Sequence, residues 1–146
     1  MRGIVTVDIG DRDRGLAFLR TNAERIVREN GLANECYRGD RDEPFDSCFL
    51  LGFSIAPFLT TIFERLWGLT VRFHEGTLRV DPAFPSGWTG AALRRLRVGP
   101  GWVDLEWTPG AVEVRWSGPT ELRVEGRSGS IRLAAGTQGK LGLPSA

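Results

Sequence analysis

Leu93–Glu125 reads LRRLRVGPGWVDLEWTPGAVEVRWSGPTELRVE, and its punctuation decides the fold. Four runs alternate apolar with polar residues: Leu93–Val98, Trp102–Trp107, Val112–Trp116 and Glu121–Glu125. They are separated by Gly99-Pro100-Gly101, Pro109-Gly110 and Ser117-Gly118-Pro119. Alternation places successive side chains on opposite faces of a pleated strand, and Gly and Pro supply the turns between strands. Upstream, Thr70–His74 and Thr77–Asp81 flank Glu75-Gly76, which reads as a two-residue hairpin turn. Pro82 to Gly90 is a connection. Downstream, Ser130–Ala134 follows Arg127-Ser128-Gly129 and reads as a last strand. Residues 70–135 are therefore expected to form an antiparallel β-sandwich or meander, paired in sequence order. Residues 136–146, rich in Gly, Pro and Ser, are expected to be a flexible tail.

The period changes ahead of Gly68. Between Asp11 and Asn30, Leu16, Leu19, Ala23, Ile26 and Val27 recur at helical spacing, with Arg20, Glu24, Arg25 and Arg28 on the other side. Asp11 or Asp13 suits the helix start and Gly31 the stop. Leu32–Asp46 is polar and charged, and reads as a loop long enough to be functional or disordered. Phe49–Leu69, FLLGFSIAPFLTTIFERLWGL, has the density of large apolar side chains of a mostly buried helix. Pro57 lacks an N–H, so that helix either begins near Ser54 or kinks at the proline. The fold class is α+β: a helical segment of two or three helices over residues 1–69, then the β-domain.

Composition excludes several function classes. Nineteen basic residues against 18 acidic give a net charge of +1, which favours neither nucleic acid nor an anionic membrane. The positive charge is nearly all arginine, Lys140 being the sole lysine. Cys36 and Cys48 do not have metal-ligand spacing, and the one histidine, His74, is distant, so no metal or cofactor is expected. No run approaches the ~20 apolar residues of a membrane span, and the charged start does not resemble a signal peptide. A soluble cytoplasmic protein is expected.

Each candidate residue has an ordinary role to set beside a functional one. Flat aromatic rings stack on sugars, yet Trp102, Trp107 and Trp116 lie in alternating strands, where aromatics usually pack in the core or across strands. Trp88, in the Pro85-Ser86-Gly87-Trp88 connection, is the more exposed candidate. His74 reads as a surface or hydrogen-bonded residue. Asp40, Asp42, Glu43 and Asp46 offer carboxylates, but not in the ladder of a calcium loop.

The order of pieces carries a resemblance. RGLAFLRTNAERIVRENG leads into LANECYRG, an acidic loop, GFSIAPFLTTIFERLWGL and then LTVRFHEGTLRVDPAFPSGW. This resembles the end of six-hairpin (α/α) toroid glycosidases, the glucoamylase-like, trehalase-like and amylo-α-1,6-glucosidase enzymes. Phe53-Ser54-Ile55-Ala56 is similar to the opening of a late helix in that group. Gly76, Leu78, Val80, Pro82, Pro85 and Trp88 match the first hairpin of the β-domain that follows it. The likeness runs from Gly3 to Trp88, and the later strands match only in kind.

The resemblance implies a role for Glu35 as the general base that activates water in an inverting glycosidase, with Tyr37 and Trp88 contacting carbohydrate. Such a reaction needs a second carboxyl ~6.5–9.5 Å away. In these families it comes from a much earlier hairpin that this chain lacks. The expectation is a C-terminal portion or subunit of a carbohydrate-active enzyme, inactive alone. The competing reading is a non-catalytic carbohydrate-binding or structural interaction module. Because a few helices cannot cover the apolar second helix, self-association or a partner chain over Phe53, Phe58, Ile62 and Phe63 is also expected.

Overall fold

The computed structural model describes residues 12–28, 38, 40, 41, 43 and 52–144, and the chain divides into two compact units, residues 1–65 and 66–146. In the first unit, α1 spans Arg12–Arg28, with Asp13 in its first turn and Arg25 and Arg28 in its last, the charge order the helix dipole favours. Leu19 is buried, and Arg20 pairs with Glu24 one turn on, at 2.8 Å. α2 spans Gly52–Thr60 and continues as a π-helical turn, Thr61–Leu66. It starts two residues before Ser54, so Pro57 falls inside it rather than in its first turn. Pro57 has no N–H to return to the carbonyl one turn earlier, and just past it the winding widens. The Thr61 hydroxyl donates to the Pro57 carbonyl at 2.7 Å and satisfies that buried side chain. Among the described residues no helix is long and apolar enough to cross a membrane.

The second unit is a β-sandwich of two four-stranded sheets. β1 (Thr70–Arg72) and β2 (Thr77–Arg79) begin the first sheet. β3 (Ala91–Val98), β4 (Gly101–Thr108) and β5 (Ala111–Ser117) then form a meander in the second. β6 (Leu122–Gly126) and β7 (Gly129–Leu133) return to the first sheet, and β8 (Gln138–Gly142) crosses back to the second. The sheet orders are β1-β2-β6-β7 and β3-β4-β5-β8.

Three features correct the sequence reading. β2 and β6 pair in parallel, Thr77 with Arg123 and Arg79 with Glu125, so pairing is neither wholly antiparallel nor in sequence order. Parallel pairing needs a long crossover, and here the β3–β5 meander is that crossover. The first hairpin turns through four residues rather than two. Phe73–Glu75 forms a single 3-10 turn, and Gly76, at φ 62°, closes it by donating its N–H to the Phe73 carbonyl at 2.8 Å. That left-handed conformation suits glycine. Finally, residues 138–142 of the expected tail are strand β8, with Leu141 opposite Val112 and 2% exposed. One buried leucine in a Gly-rich run is a weak periodic signal, and strand pairing supplied the rest.

The core lies between the sheets. Leu78, Val80, Leu122, Val124 and Leu133 from one sheet meet Val98, Val103, Leu105, Val112, Val114, Trp116 and Leu141 from the other. The Trp116 indole N–H donates to the Thr120 carbonyl at 2.7 Å, so the one polar atom of this buried ring is satisfied. Its ring lies flat against Gly101 and Gly118. A Cβ on either would stand only 2.3 or 1.8 Å from ring carbons, so both positions require glycine.

Candidate functional site

The sequence-derived site residues are distributed unevenly. Glu35 and Tyr37 lie outside the described residues, as does most of the acidic loop. Within that loop Asp40 approaches Arg38 at 3.6 Å and Glu43 pairs with Arg41 at 2.8 Å, both pairs in solvent. Among the described residues no three His, Cys, Asp or Glu side chains group as metal ligands would.

Trp88 is half-buried, and its ring stacks on Phe84 with centroids 5.3 Å apart and planes 14° from parallel. Phe84 is the hub of a cluster, meeting Trp67 edge-on at 5.1 Å and Trp107 at 4.6 Å. The Pro82–Trp88 connection is thus anchored by aromatic packing. Its backbone adds to this: Ala83 N–H donates to the Leu66 carbonyl at 2.8 Å. His74 is exposed, with Nε2 3.3 Å from the Glu75 carboxylate.

The outer face of the β3-β4-β5-β8 sheet has a different character. Along β4, Val103, Leu105 and Trp107 point to the core, so Trp102, Asp104 and Glu106 point away from it. β3 carries a bulge between Leu93 and Leu96. Within it Arg95 sits at φ 55°, the only non-glycine residue with positive φ among those described. Such a conformation costs about 1–2 kcal/mol for a side chain of this kind. It is held by a 2.7 Å hydrogen bond from the Arg95 N–H to the Asp104 carboxylate. The guanidiniums of Arg95 and Arg97 then lie 5.4 and 4.9 Å from the centre of the Trp102 ring, in cation–π geometry. Arg94 pairs with Glu106 at 2.8 Å, and that hydrogen bond raises the guanidinium pKa from its ordinary value. On the other side of Trp102 an open groove of ≈ 620 Å³ is lined by Trp102, Asp104, Arg115, Ser117, Thr137 and Gln138.

This face escaped the sequence reading, which grouped Trp102 with Trp107 and Trp116 as packing residues. The signal was the phase of β4: Trp102 is in step with Asp104 and Glu106, while Trp107 is in step with Val103 and Leu105.

The other sheet's outer face is a lattice of ion pairs. Asp81, largely buried, pairs with Arg127 at 2.7 Å and with Arg79 at 3.7 Å, and Arg123 pairs with Glu125 at 3.0 Å.

Comparison with known proteins places this β-unit. Residues 71–131, from β1 into β7, match the family model described as glycosyl hydrolase family 65, C-terminal domain. The β-unit is similar to a glycoside hydrolase C-terminal domain. No curated protein matches the chain. A solved structure named as that of a kojibiose phosphorylase, from the human microbiome, superposes with a TM-score of 0.52 at 13% identity. The match covers 64% of this chain and 13% of that one, and at this identity it shows the fold alone. The family match lies on the strands, whereas the sequence resemblance was drawn chiefly from the helices and the first hairpin; the two overlap at residues 71–88.

Proposed function

We propose that this chain is the C-terminal portion or a subunit of a carbohydrate-active enzyme of the glycoside hydrolase kind, with its helical unit forming the last part of a six-hairpin toroid. The family match over residues 71–131, lying on a β-sandwich, carries this reading. The matched stretch includes Gly76, Leu78, Val80, Pro82, Pro85 and Trp88, the hairpin positions that suggested the same kind of enzyme from sequence.

In this reading the loop after α1 presents Glu35 as the general base, and Tyr37 and Trp88 stand near the sugar. An inverting hydrolysis needs a general acid on the opposite side of the scissile bond, with the carboxyls ~6.5–9.5 Å apart to admit water. That acid belongs to an earlier part of the toroid, and a second copy or a partner chain covers Phe53, Phe58, Ile62 and Phe63. Of these, Phe58, Ile62 and Phe63 are half-buried in the structure.

The test is reconstitution. The chain, co-expressed with the product of the neighbouring reading frame, is assayed on α-linked glucose disaccharides with and without inorganic phosphate. The expected outcome is turnover by the complex, none by this chain alone, and loss of roughly 100-fold or more with Glu35→Gln, the scale of a positioned general base. A complex that turns over substrate equally well with Glu35→Gln removes Glu35 from the chemistry. The absence of any complex or turnover removes the split-enzyme reading.

A further inference from the structure

The groove on the outer face of the β3-β4-β5-β8 sheet is built differently from the rest of the surface. Trp102 stands on β4 between two neighbours in register, Arg97 on β3 and Ser117 on β5. The cations over its ring, Arg95 and Arg97, come from β3. The groove on its other side is walled by β5 and by the approach to β8, with no β3 residue in the lining. The indole is therefore braced from one side and presented on the other.

The bracing has a cost in backbone strain. Arg95 occupies a left-handed backbone conformation, and Asp104 holds it there through the backbone N–H. Strain of this kind persists where surrounding structure over-determines it, and it concentrates at ligand sites. The polar lining is also left open. Asp104 and Arg115 face each other across β4 and β5 in register, yet among the described residues Arg115 makes no ion pair. The Gln138 amide and Arg115 guanidinium, with Ser117 and Thr137, line the groove.

We propose that this groove binds a neutral oligosaccharide, with the open side of Trp102 as the stacking platform and Asp104, Arg115 and Gln138 as hydrogen-bonding partners of sugar hydroxyls. A pyranose offers a face of slightly positive C–H groups, which the negative face of an indole attracts. Its vicinal hydroxyls each need a donor and an acceptor, and a carboxylate, a guanidinium and an amide supply both. The lining carries one carboxylate and one guanidinium, so it favours neither an anion nor a cation. An apolar ligand would leave the Asp104, Arg115 and Gln138 polar groups of the lining without partners, and Trp116 at its edge is spent on the core. A few convergent polar groups beside one aromatic surface is the ordinary construction of a small-molecule site. The proposal deepens the carbohydrate-active reading and needs neither catalysis nor a partner chain.

The test uses the full chain alone, titrated with maltotetraose and with mannotetraose by calorimetry and by NMR of the tryptophan indole N–H signals. The expected result is binding of at least one of them that shifts the Trp102 signal while the Trp116 signal stays in place. Trp102→Ala should weaken that binding about tenfold or more, equivalent to ~1.4 kcal/mol, and Trp102→Phe should retain most of it. Arg115→Ala should weaken it as well, with the thermal unfolding of both variants unchanged. No binding of either sugar, or binding that Trp102→Ala leaves untouched, overturns the proposal. Because no enzyme assay enters, a failed titration leaves the reconstitution result standing, and failed reconstitution leaves a sugar-binding groove standing.

Discussion

On the inward face of the β3-β4-β5-β8 sheet, Val103, Leu105, Val112, Val114 and Trp116 are at most 2% exposed. On the outward face of the same strands, Trp102 and Asp104 are only half-buried and Arg115 is in solvent. Both faces hold a tryptophan fixed by specific partners, but the partners differ. Trp116 is wedged against the backbones of Gly101 and Gly118 and hydrogen-bonded through its indole N–H. Trp102 is held by two guanidiniums and by a strained arginine backbone that a carboxylate ties down. Packing of the first kind stabilises the fold. Bracing of the second kind positions a ring at the cost of backbone strain, so substitutions on the inner face should cost far more stability than those on the outer one.

The largest effect expected is from Trp116→Ala. Emptying that site should cost about 3–5 kcal/mol, enough to unfold a small β-unit, and urea denaturation followed by far-UV circular dichroism would measure it. A loss below about 1 kcal/mol would mean that the inner face is not the stabilising one. Next comes Gly101→Ala, which drives a methyl into the Trp116 ring and the Gly118 backbone. Overpacking of this kind should cost about 1–3 kcal/mol, read from the same denaturation midpoint. On the outer face, Asp104→Ala removes the acceptor for the Arg95 N–H and should cost about 1 kcal/mol. Hydrogen exchange at the Arg95 amide should accelerate at the same time; unchanged exchange would show that the bulge does not depend on Asp104. The smallest effect is expected from Trp102→Ala, within about 0.5 kcal/mol of the parent in stability, as for surface positions generally. A large loss there would erase the distinction between the faces.

The same contrast governs what was legible in the sequence. The runs from Leu93 to Glu125 located β3 to β6 because their inward residues alternate cleanly with charged ones, and α1 was legible from Leu16, Leu19, Ala23 and Ile26 for the corresponding helical reason. Strand order was not legible. The parallel pairing of β2 with β6 depends on contacts between residues 77–79 and 123–125, far apart in the chain. β8 was missed because its inward face offers only Leu141 to periodicity. The Arg95 bulge and the groove were missed because strain and cross-strand bracing are properties of neighbouring strands, which no single run displays. The role given to Glu35 rests on resemblance alone.

The central claim is that this chain works as part of a larger carbohydrate-active assembly, and its mass in solution tests that most directly. Light scattering should show the 16.1 kDa chain joining the product of the neighbouring reading frame in a defined stoichiometry, and the mixture should then act on an α-glucoside. A mass that stays at 16.1 kDa at high concentration, with or without the neighbour, would contradict it.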